Sequence, residues 1–368
     1  MERFGQLVTA PGAQEPGHQK QSNDWLIIDN TAQTLCKVSP DGLLLPWLGT
    51  PGVGGHKDGV GPAAGFVKPA FVAVKPSGGK DAGWQAVISD FRSHTLRRVD
   101  GTGQVSTLAG RPGKDSFKDG SLAEACFACP AGVAMDPEGQ VFVNDSGNYV
   151  IRRVTPDGRV ATLAGQPYEY GHRDGPGPEA RFHRLRGLAL DPPTGDLYVA
   201  DGHCVRRVRA DGQVETLLGN YKEPGFEEWM TFPPVGPRGL AGVRCLNEPS
   251  GLTLFQGLLF IADKNNHAIR VFDPATGSLR TLVGDPTQGK TRPGGLRNGA
   301  ARVRPKQFAA VASPLSIAFD GKGGCGVSSG AGLVQLALGH HESFATPGPG
   351  MTLSAWVDSV PKPVQPNP

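Results

Sequence analysis

The segment 130-PAGVAMDPEGQVFVNDSGNYVIRRVTPDGRVATLAG-165 decides the fold of this chain. Its apolar stretches are short and rich in Val, Ile and Leu, a pattern typical of β-strands. The sequences Asp-Pro-Glu-Gly and Thr-Pro-Asp-Gly between them are typical of tight turns, because proline presets φ and glycine accepts a positive φ. The segment therefore predicts four antiparallel strands, named a to d in chain order.

The same pattern recurs along most of the chain. An aspartate ends strand b of each copy, at Asp29, Asp90, Asp145, Asp201 and Asp263. Successive aspartates lie 61, 55, 56 and 62 residues apart, and Ser328 takes the next position in a segment that keeps the apolar frame. One such sheet cannot bury both of its faces, so the copies must pack on each other. The sequence thus predicts an all-β fold, a six-bladed β-propeller of four-stranded antiparallel blades.

The two chain ends are expected to complete the ring. We predict one propeller over residues 24–358, an N-terminal segment 1–23 and a disordered proline-rich tail 359–368. Residues 353–358 copy residues 315–320 and are predicted as strand a of the first blade, with 343–346 as the last strand d. Alternatively, residues 5–12, which resemble residues 103–110, supply that strand d. In both arrangements the chain ends share one blade, which removes exposed sheet edges.

Composition and charge exclude several classes of protein. The 368 residues include 53 glycines and 33 prolines but no Gly-X-Y period, which argues against a collagen-like chain. The formal net charge of +3 gives no general attraction to nucleic acid or membranes. No apolar run reaches the length of a membrane span or a signal peptide, and six scattered cysteines do not form a disulfide scaffold. We therefore expect a cytoplasmic protein with no membrane partner.

The residues that recur in each copy, and the spacing between them, resemble the repeats of one known family. Residues 145–154, 158–165 and 174–182 follow the pattern D-x-x-x-x-x-[IL]-R-R-V, G-x-V-x-T-L-A-G and D-G-x-x-x-x-A-x-F, and residues 90–127 repeat it. This pattern resembles NHL repeats, and the resemblance covers about residues 24–338. It implies a propeller that serves as a binding platform for protein or RNA. A minority of the family are lyase-like and hydrolase-like enzymes.

The repeated polar residues are predicted to serve the fold. An aspartate at a strand end accepts hydrogen bonds from backbone N–H groups of the following loop, and its repetition in five blades argues against an asymmetric active site. Strand c carries an arginine in four copies, expected to be a surface or inter-blade residue that pairs with carboxylates or carbonyls rather than a phosphate-binding stripe. These arginines are Arg97, Arg152, Arg206 and Arg270.

Three patterns could bind a metal or carry redox chemistry. His94 and His267 follow their aspartates by four residues and could contribute to a metal site at the central channel, although Gln33 and Tyr149 fill the same position in other copies. The Cys126–Cys129 pair precedes a strand rather than a helix, so we interpret Cys129 as partly buried packing. The Asp-Gly turns lack the alternating Asp and Asn ligands of a calcium-binding loop. No cofactor is therefore expected.

Function is expected where the repeat is broken. The d-to-a crossovers and the b–c loops share one edge of the blades, here called the crossover face. The fourth crossover carries acidic and aromatic residues that are typical of a protein contact, namely Phe226, Glu227, Glu228, Trp229, Met230 and Phe232. The fifth crossover, residues 285–308, carries Lys290, Arg292, Arg297, Arg302, Arg304 and Lys306.

These features predict a non-enzymatic scaffold that binds another protein through the crossover face. The first alternative is RNA or other nucleic-acid binding through the basic fifth crossover. The second alternative is a metal-dependent propeller lyase or hydrolase that uses His94 and His267.

Overall fold

The computed structural model describes residues 4–11, 23–38, 44–75, 85–226, 240–241, 243, 245–283, 314–319, 325–329 and 333–336. The helices in these ranges are single 3-10 turns at Gly61–Ala63, Ser146–Asn148, Gly177–Glu179 and Lys264–Asn266. No helix within the described ranges has the length and apolar character needed to cross a bilayer.

Strands in chain order form six separate sheets. The first sheet contains β1 (Phe4–Pro11), β2 (Asn23–Asp29), β3 (Thr34–Val38) and β4 (Leu44–Leu48). The second contains β5 (Gly59–Val60), β6 (Pro69–Lys75), β7 (Gln85–Asp90), β8 (Thr95–Asp100) and β9 (Gln104–Gly110). The third contains β10 (Gly120–Ser121), β11 (Pro130–Met135), β12 (Val141–Asp145), β13 (Val150–Val154) and β14 (Arg159–Ala164).

The remaining three sheets follow the same order. The fourth contains β15 (Leu185–Asp191), β16 (Asp196–Asp201), β17 (Cys204–Val208), β18 (Val214–Gly219) and β19 (Leu240–Ala241). The fifth contains β20 (Pro249–Phe255), β21 (Leu258–Asp263), β22 (Ala268–Asp273) and β23 (Ser278–Val283). The last contains β24 (Pro314–Phe319), β25 (Cys325–Ser329) and β26 (Leu333–Leu336).

Five of these sheets are four-stranded antiparallel blades built as the sequence predicted. The two-residue strands β5, β10 and β19 belong to the crossovers and pair with the outermost strand of the blade. The last sheet has three described strands, and the predicted strand d at residues 343–346 lies outside the described residues. The structure therefore shows an all-β propeller with five four-stranded blades, not the six that the sequence predicted.

The first blade corrects the prediction for the chain ends. β1 pairs antiparallel with β2, with Leu7 opposite Ile27, and so it is strand a of that blade. The N-terminal segment is thus neither outside the fold nor the last strand d, and the first blade takes all four strands from consecutive sequence. Leu7 is fully buried, which explains why this segment can hold the inner position. Residues 353–358, predicted for that position, lie outside the described residues.

The hydrophobic core consists of separate clusters between neighbouring sheets. One cluster joins Leu26 and Ile28 of the first blade to Phe66, Val72 and others of the second, and similar clusters follow between later blades. The last sheet packs on both sides: Ile317 and Phe319 against the fifth blade, and Ala318 against Leu7 of the first. The sheets therefore pack face to face around the ring.

Neighbouring inner strands approach each other very closely. A Cβ atom at Gly132 would lie 2.4 Å from the carbonyl oxygen of Arg186, and one at Gly187 would lie 2.2 Å from that of Ser250. Gly251 meets the carbonyl of Leu315 in the same way, at 2.4 Å. Only glycine fits at these three positions, because a side chain would have to displace neighbouring backbone.

Candidate binding face

A buried arginine network occupies the same place in successive blades. Arg152 on β13 donates from Nη1 to the Cys126 carbonyl (2.9 Å) and to Asp145 Oδ2 (2.8 Å). Its Nη2 donates to the Lys118 carbonyl (2.7 Å) and to Asp119 Oδ1 (2.6 Å). The guanidinium lies 4.7 Å from the centre of the Phe127 ring. Arg206 repeats this set. Arg97 repeats it except that its Nη1 lies 3.8 Å from the strand-end Asp90, an ion pair rather than a hydrogen bond. Arg270 repeats the contacts with the carbonyl and the strand-end aspartate.

These contacts correct one part of the prediction for the arginines. Pairing with carboxylates and carbonyls was expected, but a surface position is wrong, because the side chains of all four arginines are fully buried. A phosphate group in solution cannot reach them, so they do not form a phosphate-binding stripe. Each guanidinium instead fastens the crossover that leads into its own blade.

The strand-end aspartates accept backbone hydrogen bonds, although mostly from another segment than predicted. Asp29 accepts from Thr31 and Ala32 in the following loop, as expected. Asp145 accepts instead from the Ala128 N–H, and Asp201 from the His183 N–H (2.8 Å), both just before strand a. Burial raises the pKa of Asp145 to about 6, against the opposing effect of Arg152. The oxygens of these aspartates are taken up by contacts within the fold.

The Asp-Gly turns of the crossovers complete the network. Asp174 Oδ2 accepts from the Thr216 N–H (2.9 Å), while its Oδ1 accepts from Arg206 (2.7 Å). Burial would raise the pKa of Asp174, but Arg206 and Thr216 hold it below its usual value. Asp58 and Asp119 make the equivalent contacts. No group of three or more His, Cys, Asp or Glu residues within the described ranges could hold a metal ion.

Two histidines of the b–c loops, His94 and His203, join neighbouring blades. His94 has a left-handed backbone (φ +60°), and its Nδ1 accepts from the Cys129 N–H at 3.0 Å. His203 Nδ1 accepts from the Glu248 N–H at 3.1 Å in the same way. His267 has the same backbone conformation, in the fifth blade. Cys129 is half-buried, and burial raises the pKa of its thiol, which fits the packing role that the sequence suggested.

The predicted partner loop lies almost entirely outside the described residues. Of its six residues only Phe226 is described, and the Arg270 guanidinium lies 4.4 Å above the centre of its ring. Phe226 therefore has a contact within the fold that sequence reasoning did not foresee. Outside the described residues lie Glu227, Glu228, Trp229, Met230 and Phe232, and also Lys290, Arg292, Arg297, Arg302, Arg304 and Lys306. Their binding roles stay predictions.

The third crossover carries an exposed aromatic surface that sequence reasoning missed. Tyr168 and Tyr170 are 66% and 69% exposed. Tyr168 makes an edge-to-face contact with Phe117 (6.3 Å between ring centres), and Tyr170 lies 5.9 Å from Tyr149 and 6.2 Å from His183. We call these five residues the tyrosine ledge. The sequence signal was Tyr-Glu-Tyr, two aromatic residues placed three and five positions after the glycine that follows strand d.

Comparisons with known proteins agree with this architecture. Residues 246–272 match the NHL repeat. NHL repeat-containing protein 2 of Bos taurus is 27% identical over 293 residues, which are 72% of this chain and 39% of that protein. Peptidyl-glycine alpha-amidating monooxygenase B of Xenopus laevis is 26% identical over 162 residues, which are 43% of this chain and 17% of that protein. The chain thus spans less than half the length of these relatives.

A solved structure supports the fold alone. A streptogramin B lyase structure superposes with a TM-score of 0.50 at 10% identity, covering 92% of this chain and 94% of that one. The repeated arginine–aspartate network, the match at residues 246–272 and the relative of similar sequence point in one direction. The chain is therefore similar to NHL-repeat proteins, by the match at residues 246–272 and by a relative that aligns with 72% of its length.

Proposed function

We propose that the chain is a non-enzymatic recognition module that binds another protein through its crossover face. The observation that supports this proposal is the tyrosine ledge, because exposed aromatic side chains are enriched at protein interfaces. The repeated aspartates and arginines are engaged within the fold, whereas the ledge is an asymmetric exposed surface within the part of the chain that the structure describes. We further propose a cytoplasmic setting and a sixth blade based on β24 to β26, since that sheet packs against both the fifth and the first blade.

Affinity capture from the native source tests the binding function. We expect the wild-type chain to retain a specific partner that is lost from a Tyr168→Ser/Tyr170→Ser variant. Leu45→Ser is the matched control, because Leu45 is a 50% exposed apolar residue on the first blade. A variant lacking residues 223–235 tests the predicted partner loop separately. An unchanged set of partners in the tyrosine variant would contradict the role of the ledge.

A metal-dependent enzyme is a second candidate, favoured by the similarity to the Xenopus amidating monooxygenase. Under this hypothesis His94 and His267 would contribute ligands. Elemental analysis of the purified protein tests it: stoichiometric Zn²⁺ or Ca²⁺ that is lost in a His94→Ala/His267→Ala variant would support an enzyme.

Nucleic-acid binding through residues 285–308 remains the other proposal from the sequence. Binding to a labelled single-stranded RNA should then weaken steeply with salt, and Lys290→Ala/Arg292→Ala should reduce the slope. No binding at low salt would contradict it.

A further inference from the structure

A cluster of cations surrounds one carboxylate where the crossovers enter the inner strands. Glu248 immediately precedes β20 and forms an ion pair with Arg184, which immediately precedes β15. Arg186 Nη2 lies 4.0 Å from Glu248 Oε2, and Lys264 of the neighbouring b–c loop acts on the same carboxylate. We call these four residues the rim cluster. It joins the fourth and fifth blades on the crossover face.

The rim cluster carries more positive than negative charge. Burial would raise the pKa of Glu248, but Arg184, Arg186 and Lys264 hold it below its usual value, so the carboxylate is ionised at neutral pH. One negative charge thus faces three positive charges. Nearby His203 adds no further charge at neutral pH, because burial lowers its pKa and its Nδ1 accepts the Glu248 N–H.

The cations of the rim cluster are open to solvent. The side chains of Arg184 and Arg186 are 49% and 38% exposed, against 20% for Glu248. Arginine presents a planar fork of donors that suits carboxylates, and two such forks here share a single carboxylate. A second carboxylate from outside the chain could therefore reach guanidinium groups that Glu248 alone does not saturate.

The rim cluster is continuous with the tyrosine ledge. His183 precedes Arg184 in sequence, and its ring lies 6.2 Å from that of Tyr170. The combined surface offers aromatic rings beside exposed guanidinium groups. Glu169, between the two tyrosines, pairs with Arg181 at 2.7 Å, so this pair adds no net charge to the ledge and the excess positive charge lies at the rim. A phosphodiester chain carries a charge at every residue, which matches this separation of rings and charge less well than a peptide does. An acidic peptide with an aromatic residue can place its ring on the ledge and its carboxylates at the rim.

We propose that the rim cluster and the tyrosine ledge together bind an acidic, aromatic-containing segment of a partner protein. Carboxylates of that segment share or replace Glu248 as partners of Arg184 and Arg186. The inference rests on the proposed function, since it names the chemistry of the partner.

Fluorescence anisotropy with defined probes tests the proposal. The probes are a fluorescein-labelled peptide of Glu and Phe, its counterpart of Gln and Phe, and a labelled oligouridine of equal length. We expect the acidic peptide to bind most tightly and to weaken with salt. Arg184→Gln/Arg186→Gln should weaken binding about ten-fold, because charge-assisted bonds are lost. Glu248→Gln should tighten it about five-fold by removing the competing carboxylate. Arg159→Gln, at the exposed first residue of β14, should leave it unchanged.

Three results would contradict binding of an acidic segment. Equal binding of the Gln-containing peptide, tighter binding of oligouridine, or weaker binding by Glu248→Gln at unchanged melting temperature would overturn the proposal. The probe comparison uses the wild-type chain, so it holds even where a variant folds poorly. If the acidic peptide fails while Tyr168→Ser/Tyr170→Ser still loses a captured partner, the acidic-segment inference falls and the protein-binding function stands. If the peptide binds but no partner depends on the tyrosines, the proposed function of the ledge falls instead.

Discussion

At the scale of single residues, the chemistry of the network depends on burial that a sequence does not display. Arg152 sits beside Arg153 in the sequence, yet Arg152 is fully buried and Arg153 is only partly so. The sequence predicted a surface or inter-blade arginine that pairs with carboxylates or carbonyls, but not that Arg152 would be fully buried with four hydrogen bonds. The pairing of arginines with carboxylates and carbonyls was predictable from the residue types. The complete burial of the arginine side chains was not, because long charged side chains are seldom fully buried.

Arg152→Ala should strongly destabilise the protein. It leaves Asp145 buried without its cation and removes one of the two donors to each of the Cys126 and Lys118 carbonyls. Breaking a buried pair on one side costs about 3–5 kcal/mol. Denaturant unfolding measures the loss, with Arg159→Ala as a control expected within about 0.5 kcal/mol of wild type. A loss below about 1 kcal/mol for Arg152→Ala would show that the network contributes little.

The histidine in the third crossover should make stability depend on pH. His172 occupies the position that Phe117 holds in the preceding crossover, as the bonds Gly171 N–H to Phe182 O and Ser116 N–H to Phe127 O show. Burial, and then the nearby charge of Arg206, lower the pKa of His172 from its usual 6.5. The unfolded chain therefore takes up the proton at a higher pH than the folded chain. The free energy of unfolding consequently falls as the pH drops below 6.5.

His172→Phe should remove this contribution. Urea unfolding at pH 7 and pH 5 should show the variant gaining stability relative to wild type at the lower pH. Asp145 and Asp263, whose pKa values are raised to about 6 by burial, act with the opposite sign, but they are present in both proteins and cancel in the comparison. A constant difference between the two proteins at both pH values would show that His172 accepts a proton freely when folded.

At the scale of elements, strands and turns follow closely from the sequence. The alternation of short apolar runs and Gly- or Pro-containing turns placed the four strands of β11 to β14 almost where they lie. The sequence did not lead us to predict a role for the glycine at the third position of strand a. Gly132, Gly187 and Gly251 recur there because neighbouring inner strands nearly touch. A glycine in a strand pattern can mark close backbone approach, and its recurrence at one register position was the available signal.

Gly187→Ala should therefore be costly even though alanine is compatible with a strand. The new Cβ would lie 2.2 Å from the Ser250 carbonyl oxygen and would push the fourth and fifth blades apart. Overpacking of this kind costs about 1–3 kcal/mol. Gly171→Ala is the matched control, since its Cβ would meet only the Arg181 side chain at 3.2 Å. Equal melting temperatures for the two variants would contradict the close approach.

At the scale of the whole molecule, the ends of the chain were the least predictable part. Residues 5–12 resemble a strand d in sequence, yet the structure uses β1 as a strand a. Short strands of similar composition can serve as strand a or as strand d. The contacts that Gln6 and Leu7 make with neighbouring sheets decide for strand a. Gln6 Oε1 accepts the Val72 N–H of the second blade (2.8 Å), and Leu7 packs against Ala318 of the last sheet.

Leu7→Ala should loosen the junction between the first blade and the last sheet. Leu7 is buried with Ile27, Cys36 and Ala318, and such truncations cost about 2–5 kcal/mol. We expect faster amide hydrogen exchange in β24 as well as in β1, because each supports the other across the junction. Val8→Ala, which affects the core shared with the second blade, should leave β24 less changed. Unaltered exchange in β24 would contradict closure through β1.

The arginine network also sets where this chain could be divided into modules. Each guanidinium, the aspartates that pair with it and the crossover it holds lie between one strand-d glycine and the next, for example from Arg111 to Gly165. A gene duplication or an engineered insertion in that frame would bring a complete set of charges with every added module. A cut at the start of strand a would leave each arginine with its strand-b aspartate but separate it from the carbonyls and the aspartate of its crossover.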